Sequence, residues 1–100
     1  MTHAVNIDHQ DDAVHLSGEL SINNVSELLQ ASEKWFGSDT NALTINLNQV
    51  TRCDSAGVAL MLEWVRQAKG HDLQLKLTAP SQQMLSIINV CGLDDVLHFT

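Results

Sequence analysis

Asp54 and Ser55 are the residues of this chain best placed to do chemistry. They follow an alternating segment, Leu43, Ile45 and Leu47 with Thr44, Asn46 and Asn48 between, and they precede a strongly apolar repeat of helical spacing. That order puts them at a strand-to-helix junction. A hydroxyl there meets the unpaired amides of a helix's first turn, where the helix dipole also favours negative charge. Ser55 therefore suits three uses: nucleophile, phosphate acceptor or simple cap. Asp54 reads as a cap, as a hydrogen-bond anchor for the junction, or as a group that helps a kinase engage Ser55. A phosphate on Ser55 would add about -1.5 to -2 charge beside Asp54, enough to switch binding without refolding the domain.

Catalysis lacks its companions. A nucleophilic Ser55 needs a positioned base and an oxyanion site, and the hydrolase elbow G-x-S-x-G is absent because Cys53 stands two residues before the serine. His3, His9, His15, His71 and His98 are scattered over polar faces and loops, without H-E-x-x-H spacing. Cys53 and Cys91 form no C-x-x-C pair and read as reduced thiols, Cys53 being the more exposed candidate, a half-buried filler bordering the junction. No P-loop or G-x-G-x-x-G occurs. The expectation is no catalytic residue, no metal site and no cofactor.

The elements that must hold the junction follow from periodicity. Val5 and Ile7, then Val14 and Leu16, alternate as an antiparallel pair joined by a polar loop, His9 to Asp12, and Gly18 closes the second strand. Asn24 with Glu27 has capping-box spacing ahead of a helix from Val25 to Phe36, which Gly37 to Asn41 break. The Leu43 to Leu47 strand and a helix from Gly57 to Lys69 come next, with Gly70 as the stop. Leu73, Leu75 and Leu77 alternate in a strand ending at Pro80. Met84, Ile87, Ile88 and Cys91 recur at helical spacing, and Val96 to Phe99 supply a last strand. Strand, helix, strand, helix, strand over residues 43 to 99 implies right-handed crossovers. The predicted fold is α/β, a single domain over residues 1–100, with a mixed, mainly parallel sheet of about five strands and three or four helices.

The helix after Ser55 shows two apolar faces. Val58, Met61, Leu62 and Val65 project to one side and are expected to pack on the sheet. Leu60 and Trp64 lie one turn apart on another flank. They read as a protein-interface anchor continuing the Ser55 surface, or as cover for the domain edge.

Charge narrows the partners. Five Lys and Arg against twelve Asp and Glu give a formal charge of -7, which argues against nucleic acid and against electrostatic attachment to anionic lipid. The longest unbroken apolar run, Val58 to Leu62, falls far short of the ~20 residues of a membrane span. The N-terminus has neither the basic start nor the apolar segment of a secretory signal, so a cytoplasmic location is expected. Any membrane role would go through another protein.

Four motifs, in this order and spacing, resemble a STAS domain (sulfate transporter and anti-sigma factor antagonist) over almost the whole chain: Leu16-Ser17-Gly18-Glu19-Leu20, Ile45-Asn46-Leu47, Asp54-Ser55-Ala56-Gly57 and Gly92-Leu93. The runs Val58 to Trp64 and Gly92 to Leu97 look most like the MlaB-like branch, the cytoplasmic STAS subunits of phospholipid-transport ABC systems. The resemblance implies a SpoIIAA-like fold and a non-enzymatic subunit, peripheral to the inner membrane through its partner. That partner would be an ABC-transporter ATPase (MlaF-like), in a complex with a permease and a membrane-anchored substrate-binding protein that maintains outer-membrane lipid asymmetry. Its partner-binding residues would be Asp54, Ser55, Ala56, Gly57, Leu60 and Trp64. The alternative it implies is an anti-sigma factor antagonist, switched by phosphorylation at Ser55 and bound to an anti-sigma factor kinase. Antagonists usually continue as Asp-Ser-Ser-Gly or Asp-Ser-Thr-Gly followed by Leu-Gly, where this chain has Ala56, Val58 and Ala59. Asn46 stands where an Asp is frequent.

Overall fold

The computed structural model describes residues 5–10, 13–36 and 41–99. The alternating segments form four strands: β1 (Val5–Gln10), β2 (Ala13–Leu20), β3 (Ala42–Cys53) and β4 (Gln74–Thr78). They lie in the order β1-β2-β3-β4, with β1 antiparallel to β2 and the other pairs parallel. Each parallel connection carries a helix, α1 (Val25–Ser32) between β2 and β3 and α2 (Ser55–Gly70) between β3 and β4, while α3 (Gln82–Val90) follows β4. Val14, Leu16, Leu43, Ile45, Leu47 and Leu77 point to one face of the sheet and are buried there with Leu28, Met61, Met84 and Ile88 of the helices. The residues between them are mostly polar and leave the opposite face open, as one-sided sheets require.

Several boundaries differ from the periodic reading. His9 and Gln10 belong to β1, paired with Val14 and Ala13, so the hairpin connection is shorter than four residues; Asp11 and Asp12 lie outside the described residues. Gly18 does not close β2. It sits at φ 98° beside a break in the β2/β3 register, and the strand continues to Leu20. From His15 to Glu19 in β2 is four steps, whereas the matching stretch of β3, Asn46 to Arg52, is six. β3 therefore carries two bulged residues, each of which breaks the period of two, and it runs on to Cys53 rather than ending near Leu47.

The first helix ends at Ser32 and tightens into a 3-10 turn over Glu33–Trp35, with Phe36 extended; most of the expected break, residues 37–40, lies outside the described residues. Asn24 does precede the helix, but its side chain makes no bond to the first-turn amides and accepts instead from Ser21 N at 3.0 Å. Ser81 caps α3 by accepting from Met84 N at 3.1 Å. The expected fifth strand reduces to one parallel bridge between Phe99 and Leu77, because Val96 N and Leu97 N bond back to Leu93 O in a turn. Four strands form the sheet among the described residues.

Candidate functional site: the Ser55 tip

One residue, Asp54, separates the end of β3 from the start of α2, and it ties the junction together. Its backbone N–H donates to Leu20 O at the end of β2 (3.3 Å), and its carbonyl accepts the first helical bond from Val58 N at 3.2 Å. Oδ1 of its side chain accepts from Ala56 N and Gly57 N at 3.0 and 3.1 Å. Oδ2 reaches the other way and accepts from Ile22 N at 3.1 Å. Capping, the plainest of the three roles read for Asp54, is thus met, and the anchoring role with it.

Gly57 lets the helix come this close. A Cβ at that position would stand 2.2 Å from Leu20 O, so the first turn of α2 rests directly on the end of β2. Ser55, the first residue of α2, is exposed on top of this arrangement, and Ala56 beside it is half-buried. Two of the first-turn amides that could attract a phosphate, Ala56 N and Gly57 N, are already filled by Asp54. An added phosphate at Ser55 would stand next to a carboxylate rather than in an open anion site.

Cys53 lies just beneath. It is buried, at 2% exposure, while Cys91 is the exposed thiol, which reverses the expected order. The reason is that Cys53 occupies an inward register position of β3, against Gly57. Burial, and secondly the negative charge of Asp54, push the Cys53 thiol up to about 11, so it stays protonated and unreactive at neutral pH. Its backbone N–H donates to Gln83 Oε1 of α3 at 2.9 Å, a brace from a third element.

Leu60 and Trp64 do not form an exposed flank. Leu60 is 5% exposed and Trp64 is fully buried. Trp64 Nε1 donates to Ser32 Oγ at 2.9 Å, Ser32 Oγ donates to Leu29 O at 2.9 Å, and the indole lies 5.6 Å from that of Trp35. The buried stripe of α2 runs through Gly57, Met61, Trp64 and Ala68, with Val58 and Leu60 at its sides, whereas Leu62 and Val65 are half-buried. Counting only large apolar residues had turned the stripe away from Trp64, since Gly57 and Ala68 mark the true contact line without hydropathy of their own.

The surface beside Ser55 is instead a shallow groove of about 350 Å³ between α1 and α2. Val25 and Leu29 line one side, Ala56 and Ala59 the other, and Leu60 sits in its floor. Glu63 closes the far end, held by Arg66 at 2.6 and 2.9 Å and by Gln67 at 3.1 Å. The Arg66 hydrogen bonds, then Gln67, hold its carboxyl down to about 2. Ile22, whose N–H bonds to Asp54, is 70% exposed. Ile22 and Gln83 were both missed from sequence: Ile22 is a lone aliphatic in the polar run Ser21 to Asn24, and nothing local marks Gln83.

His9, His71 and His98 are exposed and His15 half-buried, and His3 lies outside the described residues. The ring of His9 packs edge-on against Trp35 at 5.8 Å. Among the described residues no group of three or more His, Cys, Asp or Glu side chains is placed to hold a metal ion, and no helix is long and apolar enough to cross a membrane.

The sequence model of one protein family, described as "Mlab, STAS domain", matches residues 3–98. Among curated proteins, the chain is 26% identical over 85 residues to the anti-sigma-B factor antagonist of Staphylococcus aureus, covering 85% of this chain and 79% of that protein. The antagonist of Staphylococcus epidermidis is 27% identical over the same length. Among solved structures, an anti-sigma factor antagonist from Mycobacterium paratuberculosis superposes with a TM-score of 0.78 at 21% identity, over 96% of this chain and 83% of that one. Unphosphorylated SpoIIAA superposes at 0.73 with 20% identity, over 97% and 88%. At these identities the structural likeness shows a common fold.

Proposed function

The chain belongs to the STAS domain family, and on that premise we propose that residues 1–100 are one non-enzymatic docking domain that binds an ATP-using partner protein through the Ser55 tip. The observation that carries the reading is the placement of Ser55: exposed, between Asp54, whose side chain caps the helix and bonds the exposed Ile22, and Ala56, which lines an apolar groove. Small apolar side chains around a rigid polar centre suit a protein partner. ATP chemistry would belong to that partner.

Two partners fit. An anti-sigma factor kinase is supported by the relatives named anti-sigma-B factor antagonist and by the free-standing Ser55 hydroxyl. A phosphate there would sit beside Asp54 and meet no unfilled first-turn amide at Ala56 or Gly57, so it would act by placing charge on the docking surface. The ATPase of a phospholipid-transporting ABC complex is supported by the family description and by Ala56, Val58 and Ala59, where antagonists usually have other residues. In that role the chain would be cytoplasmic and reach the inner membrane through its partner.

One experiment tests the docking and separates the partners. The purified chain is mixed with each candidate partner and ATP, and complex formation is read by size exclusion and phosphate transfer by intact mass. Docking predicts a complex that Ser55→Arg abolishes without lowering the melting temperature. Added phosphate on Ser55 selects the kinase, and a stable unmodified complex selects the ABC ATPase. A complex indifferent to Ser55→Arg overturns the proposal.

A further inference from the structure

We infer that Asp54 is a positioning residue that makes Ile22 part of the docking surface, so that the tip is built from two loops and not from the end of α2 alone. The inference rests on the docking reading above. Ile22 lies thirty-two residues before Asp54, in the turn between β2 and α1. That turn is bonded to itself and to the end of β2: Ser21 N donates to Asn24 Oδ1, Asn23 N to Ser21 Oγ, and both Asn24 N and Val25 N to Ser21 O, while Ser21 Oγ and Asn23 Nδ2 donate to the Glu19 carboxylate and Asn24 Nδ2 to Glu19 O. The bond from Ile22 N to Asp54 Oδ2 crosses from the turn to the start of α2 and, beside the Asp54 N to Leu20 O bond, links Ile22 itself to the residue before Ser55.

The turn is inverted in polarity. Ser21 and Asn24 are buried at 1% and 2%, while Ile22 projects into solvent. A turn that buries two of its three polar residues, leaving Asn23 exposed, and also exposes its one aliphatic has the arrangement of an interface anchor in a free subunit. Asp54 is bonded to Ile22 and precedes Ser55 in the chain, and Ala56, the next residue, lines the groove. Charge specifies the partner further. Asp54 lies beside Ser55 and Glu63 lines the groove in a chain of formal charge -7, so the surface that fits it offers an aliphatic socket for Ile22 with Arg or Lys at its rim.

Asp54→Asn separates the two jobs of the carboxylate. Asn keeps an acceptor for Ala56 N and Gly57 N and is itself a good N-cap, but its NH₂ group cannot accept from Ile22 N. The expected result is a folded chain whose melting temperature falls by no more than about 10 °C, as for one lost hydrogen bond, and hydrogen exchange at the Ile22 amide about tenfold faster or more. Affinity for the partner that forms the complex above falls by about the same factor as in Ile22→Ala. The double variant decides the mechanism: if Asp54 acts through Ile22, Asp54→Asn weakens Ile22→Ala no further. Additive losses, or unchanged exchange at Ile22, overturn the inference. So does full affinity in Ile22→Ala, and if Ser55→Arg then still abolishes the complex, the docking reading survives alone. Should Asp54→Asn unfold, Asp54→Ser keeps a cap oxygen without a second acceptor and carries the same comparison.

Discussion

Replacing Gly57 with alanine tests how tightly α2 is seated on the sheet. The new Cβ would lie 2.2 Å from Leu20 O and 3.0 Å from both Leu20 C and Cys53 Sγ. Two of these three atoms are backbone at the end of β2 and cannot swing away, so the first turn of α2 must withdraw by about 1 Å to reach ordinary contact. That movement strains the Asp54 N to Leu20 O bond, already 3.3 Å long. Overpacking of this kind costs about 1–3 kcal/mol and a lost hydrogen bond about 1 kcal/mol, whereas alanine's better helix propensity returns about 1 kcal/mol. The net is a destabilisation of about 2 kcal/mol, or a fall in Tm of about 8–16 °C for a domain of this size. Urea unfolding followed by circular dichroism, with a thermal scan, measures both. Gly70→Ala at the other end of α2 is the internal control: a Cβ there meets nothing within 4 Å, so that variant should gain up to ~1 kcal/mol. If Gly57→Ala behaves like Gly70→Ala, the helix does not rest on the Leu20 carbonyl and the account of the junction is wrong.

Three further outcomes follow from named contacts. Trp64→Phe removes the bond to Ser32 Oγ and part of the indole volume, and should cost about 2–3 kcal/mol in urea unfolding while leaving partner affinity per folded molecule unchanged; normal stability with lost binding would restore Trp64 to the interface. Because the folded-state pKa of Cys53 is raised from 9.0 to about 11, its neutral thiol favours the fold fully below pH 9, and that contribution disappears as pH rises toward 11. Cys53→Ala should flatten this part of the Tm profile, and an unchanged alkaline slope would contradict the burial argument. Ala79 holds φ 57°, a conformation that costs a side chain about 1 kcal/mol, so Ala79→Gly should be neutral to stabilising by thermal scan; a clear loss would point to a contact of the methyl group.

The junction was legible in the sequence because its signals are local. An alternating strand, an acid with capping chemistry and an apolar helix lie within thirty residues, and the family motifs fall on the same stretch. What escaped has nonlocal or weak signals. The bulges in β3 depend on how β2 pairs with it, so the alternation through Leu47 could not show that the strand reaches Cys53. Trp64 was misplaced because Gly57 and Ala68, which mark the contact line of α2, contribute almost nothing to a hydropathy pattern. Ile22 and Gln83 meet the junction across thirty-two and thirty residues, a separation at which spacing carries no information. The Val96–Phe99 segment has strand-forming residues, but the turn at Leu93 takes its amides first.

The absence of a loop between β3 and α2 has a kinetic consequence. With Asp54 as the sole residue between strand and helix, Ser55 cannot shift without dragging a twelve-residue strand against ladders on both its sides. A partner therefore meets a surface that needs no folding on contact, and association is limited by orientation and charge rather than by a conformational step. Substitutions around Ser55 should then alter how long a complex lasts far more than how fast it forms. A docking domain built this way sets the lifetime of its complexes through the side chains it presents.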